Sequence, residues 1–132
     1  MRIEQLPDLD ARQVSRLRAI GIHNCRQLLR VHRHLERFSI LCRATQLSPE
    51  TLRGLVQWAE LSQVRGIGPA TLAYLHDMGI DSLTALADQE PAALRAQFRQ
   101  LMPRPPNLAV IEDWIQQAGQ KKRQRPPRHG RA

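Results

Sequence analysis

The 132 residues suffice for one domain of ordinary size, or for two very small units sharing a core, and argue against two domains with independent cores. Apolar residues make up 42% of the chain but aromatics only 4%, so the core must be built from Leu, Ile, Val and Ala, which favours packed helices; no apolar run approaches the roughly 20 residues that cross a bilayer. The net charge of +8 is uneven, with six basic residues and no acid from Gln120 on, nine arginines against four acids over residues 1–43, and five against eight over 44–119, so a polyanion is drawn to the two ends more than to the middle.

Asp10 directly precedes a predicted helix that begins near Ala11, carries Val14, Leu17 and Ile20 at helical spacing, and closes where Gly21 can take a left-handed cap. Asn24 caps a short helix bearing Cys25, Leu28 and Leu29, and a further helix carries Leu35, Phe38, Leu41 and Cys42. Ser48-Pro49 opens a helix with Leu52, Leu55, Val56 and Ala59. After a glycine-containing turn, Leu72, Leu75 and Met78 define a helix that closes on Gly79, and Ser82 caps a short one bearing Leu83, Leu86 and Ala87. Pro91 precedes Leu94, Phe98 and Leu101, and Pro105-Pro106 precede Leu108, Ile111, Trp114 and Ile115. No segment alternates with the period of a strand. Residues 120–132 have no apolar face and contain Pro126-Pro127, so they are expected to form a disordered basic tail.

The pattern repeats. A slide of 58 residues lays Leu17 on Leu75, Gly21 on Gly79, Ile22 on Ile80 and Leu28 on Leu86, and a slide of 56 lays Pro49 on Pro105, Leu52 on Leu108 and Trp58 on Trp114. The expected architecture is all-α, with residues 1–119 forming two tandem units, approximately 1–60 and 61–119, around one pseudo-symmetric core.

The stretch that carries chemistry is Val64-Arg65-Gly66-Ile67-Gly68-Pro69-Ala70-Thr71-Leu72-Ala73. A Gly-x-Gly turn between two apolar-anchored helices lets the backbone reverse tightly, with both glycines expected at positive φ and their N–H groups exposed. Pro69 suits a first helical position, and the positive end of the following helix points at the same place. Together these make an anion site that needs no side-chain charge, and a phosphate oxygen is its natural guest. The stretch resembles the helix-hairpin-helix motif, typically L-P-G-I-G-P-K-T-A, with Arg65 where that family often has proline and Ala70 in place of its usual basic residue. In the first unit Asp8 and Asp10 stand where Gly66 and Gly68 stand in the second, and two carboxylates repel phosphate, so that turn is expected to be structural.

The resemblance extends along the chain. The order of turn, Gly-Ile closure, short helix, Ser-Pro-Glu helix ending in Trp-Ala-Glu-Leu, second turn, Pro-x-x-Leu segment and last helix with Glu-Asp-Trp-Ile is similar to the bacterial domain of unknown function family 4332. The resemblance implies paired helix-hairpin-helix units and no agreed activity.

Other chemistries find less support. His23, Cys25, His32, His34 and Cys42 are zinc-type ligands, but both cysteines lie on apolar stripes and neither C-x-x-C nor H-x-x-x-H occurs, so no metal site is expected. Helix capping explains Asp8 and Asp10 better than a nuclease carboxylate pair does. The only lysines, Lys121 and Lys122, leave no amine nucleophile near the turn, and no G-x-S-x-G, H-E-x-x-H or Walker loop is present. Trp58 and Trp114 occupy equivalent apolar positions and read as core. Arg12, Arg16, Arg26, Arg30, Arg33 and Arg37 form either a solvated face or a polyanion surface. The two cysteines and the lack of a charged-then-apolar leader point to a reducing, cytoplasmic setting.

The expected function is therefore non-enzymatic and cofactor-free. It is sequence-independent binding of DNA, with structured RNA as the lesser nucleic-acid alternative, and with no membrane or small-molecule substrate. Gly66, Ile67 and Gly68 would present N–H groups, Arg65 and Thr71 would add side-chain contacts, and Lys121, Lys122, Arg123, Arg125, Arg128 and Arg131 would supply attraction from the tail. The other reading is a protein-interaction adaptor that uses the same turns and binds no nucleic acid.

Overall fold

Several helix starts in this chain are set by short polar side chains that reach back to uncapped N–H groups, and the computed structural model shows them at work. It describes residues 1–32 and 35–124, without the side chains of 35–37. The chain is all-α: a 3-10 turn over Ile3–Gln5 is followed by α1 (Ala11–Ala19), α2 (Cys25–His32), α3 (Leu35–Thr45), α4 (Pro49–Leu61), α5 (Pro69–Asp77), α6 (Leu83–Ala87), α7 (Pro91–Leu101) and α8 (Leu108–Gln124). Asn24 Oδ1 accepts the Gln27 N–H at 2.9 Å, Ser48 Oγ the Thr51 N–H at 3.1 Å, Ser82 Oγ the Ala85 N–H at 3.0 Å, and Asn107 Oδ1 the Val110 N–H at 2.9 Å. Among the described residues the one isolated strand-like pairing is the antiparallel bridge Arg2–Asn24, and no helix is long and apolar enough to cross a membrane.

The chain divides into two compact units, Met1–Glu60 and a second that begins at Leu61. In the first, α3 packs on α1 and α2, and the 3-10 turn packs on α1. Its buried residues include Ile3, Leu6, Leu17, Ile22, Cys25, Leu28, Leu41 and Leu52. In the second, α8 packs along α6 and α7, burying Leu72, Leu75, Leu86, Leu94, Phe98, Ile111 and Trp114. Phe98 meets Tyr74 and Trp114 edge-on at centroid distances of 6.4 and 6.0 Å, so the second unit's few aromatics form one cluster. Cys25 is buried and Cys42 half-buried, and neither is in a disulfide.

The same backbone bonds recur 58 residues apart. The Leu6 N–H donates to Ile3 O at 3.2 Å and the Val64 N–H to Leu61 O at 3.1 Å. Gly21 and Gly79 take φ of +89° and +78°, and each closure uses the same pair of bonds. Gly21 N–H donates to Arg18 O and Ile22 N–H to Leu17 O, as Gly79 N–H does to His76 O and Ile80 N–H to Leu75 O, all at 2.9–3.0 Å.

The boundary of the basic tail needs correction. The sequence predicts disorder from Gln120, but α8 continues through Lys121, Lys122 and Arg123 to Gln124. Gln, Lys and Arg are strong helix formers, cations in a last turn complement the helix dipole, and the first breaker is Pro126, which disfavours helix at the residue before it. Arg125, Arg128 and Arg131 lie outside the described residues, as do Arg33 and His34.

Candidate functional site

The 64–68 turn is built from two anchors and a clamp. Val64 and Ile67 are both buried, and the Ile67 N–H donates to Val64 O at 3.1 Å, which closes the turn and leaves Ile67 a structural anchor rather than a donor to a ligand. Gly66 takes φ +96°, and a Cβ built there would lie 2.7 Å from Trp114 Nε1, so glycine is required both by the backbone and by the indole packed against it. Gly68, also expected at positive φ, instead sits at φ −101° and ψ −174° as the N-cap of α5, with nothing within 4 Å of a built Cβ. Tight reversal needs one left-handed residue here, and an N-cap is extended by nature.

The clamp is Gln117 of α8, which is buried. Its Oε1 accepts the Arg65 N–H at 2.8 Å, and its Nε2 donates to Arg65 O at 3.1 Å and to Asp113 Oδ2 at 2.7 Å. Both backbone groups of Arg65 are thus held by one side chain, while the guanidinium extends into solvent. Sequence reasoning missed Gln117. The available signal was a polar residue on the stripe Trp114, Ala118 and Lys121, whose spacing marks the packed face of α8.

Comparison of the two turns shows what the second can bind. Asp8 takes φ +63° where Gly66 takes +96°, and Asp10 is an extended N-cap as Gly68 is. In the first unit Asp10 Oδ1 accepts the Gln13 N–H at 2.8 Å and Gln13 Oε1 accepts the Asp10 N–H at 3.1 Å, a closed capping box. The positions 58 residues on are Thr71 and Gly68. Gly68 offers no side chain, and the N–H groups of Gly68 and Thr71 have no partner among the described residues. A carboxylate oxygen therefore marks, in the first unit, the place left open in the second.

Of the other residues read as contacts, Thr71 is half-buried at the third position of α5. Lys121 lies four residues beyond Gln117, hence on the same face of α8 and about 6 Å further along its axis. Lys122 and Arg123 occupy the same last turn and are exposed. The turn is not purely cationic, since Asp113 stands one hydrogen bond from the clamp. Among the described residues no three His, Cys, Asp or Glu side chains gather as a metal site.

Residues 7–121 match the family described as Domain of unknown function (DUF4332). No curated protein and no solved structure matches the chain.

Proposed function

We propose that the chain, which belongs to the DUF4332 family, is a non-enzymatic nucleic-acid-binding module of the cytoplasm that grips backbone phosphates of DNA at its 64–68 turn. The observation that carries this reading is the contrast between the two turns: one N-cap is filled by the chain's own carboxylate, and the equivalent one is open. A phosphate whose oxygens stand where Asp10 Oδ1 and Gln13 Oε1 stand in the first unit receives the Thr71 N–H and the Gly68 N–H and meets the positive end of α5, with Arg65 and Lys121 supplying charge. Such contacts grip phosphates and read no bases, so the binding is independent of sequence.

The test is Gly68→Asp, which imports the first unit's cap. A Cβ at Gly68 meets nothing within 4 Å and a carboxylate at an N-cap can accept the Thr71 N–H, so the melting temperature is expected to hold or rise slightly. Duplex affinity, read by fluorescence anisotropy, should fall about tenfold, the worth of one hydrogen bond to a charged group. Undiminished affinity in this folded variant overturns the reading.

The basic end gives a second prediction. None of the residues 120–124 is buried, so deleting 120–132 should leave thermal stability nearly unchanged. The dependence of duplex affinity on salt should become shallower by roughly 0.9 in log K against log salt for each phosphate that the shortened chain no longer neutralises. An unchanged slope shows that the segment touches no phosphate.

A further inference from the structure

The first unit carries a cationic surface whose placement stability does not explain. Several of its arginines are tied into the structure: Arg18 pairs with Glu4 at 3.2 Å, Arg16 donates to Thr45 O at 3.3 Å, and Arg53 lies over the Phe38 ring, 5.8 Å from its centroid. Arg2, Arg26 and Arg30 are different. All three are exposed, and among the described residues their guanidinium groups make no ion pair or hydrogen bond.

They lie along α2, with Arg2 beside its head, Arg26 in its first turn and Arg30 in its last. Arg26 and Arg30 are one turn apart, directed away from the buried Cys25 and Leu28. The chain's first residues lie against the head of the same helix, with the Cys25 N–H donating to Met1 O at 2.9 Å, the Ile3 N–H donating to His23 O at 3.0 Å, and Arg2 bridged to Asn24. Arg2 thus stands beside the N-cap, two residues from Arg26.

This arrangement works against the helix. Arg26 is the second residue of α2 and the first turn holds no acid, so its charge meets the positive end of the helix dipole, with Arg2 adding to it. Among the described residues neither is paired with a carboxylate. Exposed charges of one sign, two of them opposing the helix dipole and none of them paired among the described residues, are suited to an anion supplied from outside. Guanidinium groups favour phosphate because their planar forks match its oxygens.

We propose that Arg2, Arg26 and Arg30 form a second nucleic-acid contact, on the first unit, which binds backbone phosphates independently of the 64–68 turn. The proposal shares only its ligand class with the function proposed above and uses none of the same residues. Two contacts on one chain raise affinity for a long duplex through effective concentration.

The experiment uses the full chain and a labelled duplex, with Arg26→Gln/Arg30→Gln compared with Arg99→Gln/Arg104→Gln, which removes equal charge from exposed positions of the second unit. The first pair is expected to lose about tenfold in affinity and to flatten the salt slope by nearly two, while the control pair loses less than about twofold. Circular dichroism should be unchanged in both, with melting temperature unchanged in the control and unchanged or slightly raised in the first pair, which excludes unfolding as the cause. Gly68→Asp separates the two readings: if it binds normally while the Arg26/Arg30 pair is defective, the surface stands and the turn falls. Equal losses in the two arginine pairs overturn the surface, and so does normal duplex binding accompanied by failure to bind a polyglutamate peptide, which assigns it to an acidic protein instead.

Discussion

Gly66→Ala is expected to be the most destabilising single substitution in the second turn, by about 2–5 kcal/mol, although it adds one methyl group at an exposed position. Two costs add. At φ +96° an L-residue is held in the left-handed region, which costs roughly 1–2 kcal/mol. The new Cβ also lies 2.7 Å from Trp114 Nε1, a contact relieved only by moving the turn or an indole that is itself packed against Phe98, and overpacking of this kind costs about 1–3 kcal/mol. Three other glycines separate the terms. Gly21→Ala and Gly79→Ala carry the positive φ with nothing within 4 Å of the Cβ, so they should lose only the conformational part. Gly68→Ala carries neither cost and should be nearly neutral. Melting temperatures of the four variants, with roughly 4 °C per kcal/mol, resolve the series. Trp114→Phe in the Gly66→Ala background removes the offending nitrogen and should recover part of the loss. If Gly66→Ala costs no more than Gly21→Ala, the indole does not set the turn.

What could be read from the sequence was local. Asp10, Asn24 and Ser82 cap helices because their partners are three residues on, and Gly21 and Gly79 close helices through bonds within one turn. The composition against strands and the helical spacing of Leu, Ile and Val sufficed for the all-α class. The end of α8 is not marked by its apolar stripe, because the helix continues on propensity and dipole after the last buried residue, Ala118. The turn itself was only half legible. Its glycines invited one role for both, whereas Gly66 supplies the left-handed reversal and Gly68 an empty N-cap. The clamp was marked only by a polar residue on the packed stripe of α8, because Gln117 meets Arg65 across 52 residues and nothing local names its partner. The legible features set the fold, and those that decide the chemistry of the turn are long-range.

Arg65→Glu against Arg12→Glu tests the turn from the side of charge. Arg65 has its peptide fixed by Gln117 and its guanidinium in solvent, so reversal leaves the backbone intact and thermal stability should barely move. A carboxylate there repels a phosphate seated at Gly68 and removes a charge-assisted hydrogen bond, which together should weaken duplex binding by about 1–3 kcal/mol. Arg12 is the second residue of α1, beside a cap already filled by Asp10. Its reversal improves the dipole at that helix start, so stability should rise slightly, and with no open cap to serve, binding should fall only through general electrostatics. The two losses then separate with ionic strength: the Arg12→Glu deficit should fade as salt passes roughly 0.2 M, where the screening length is under about 8 Å, while much of the Arg65→Glu deficit persists. Equal losses at every salt concentration remove the case for a dedicated phosphate site at the 64–68 turn. No loss in either variant favours the adaptor reading, in which the open cap of α5 receives an acidic side chain of a partner protein in place of a phosphate.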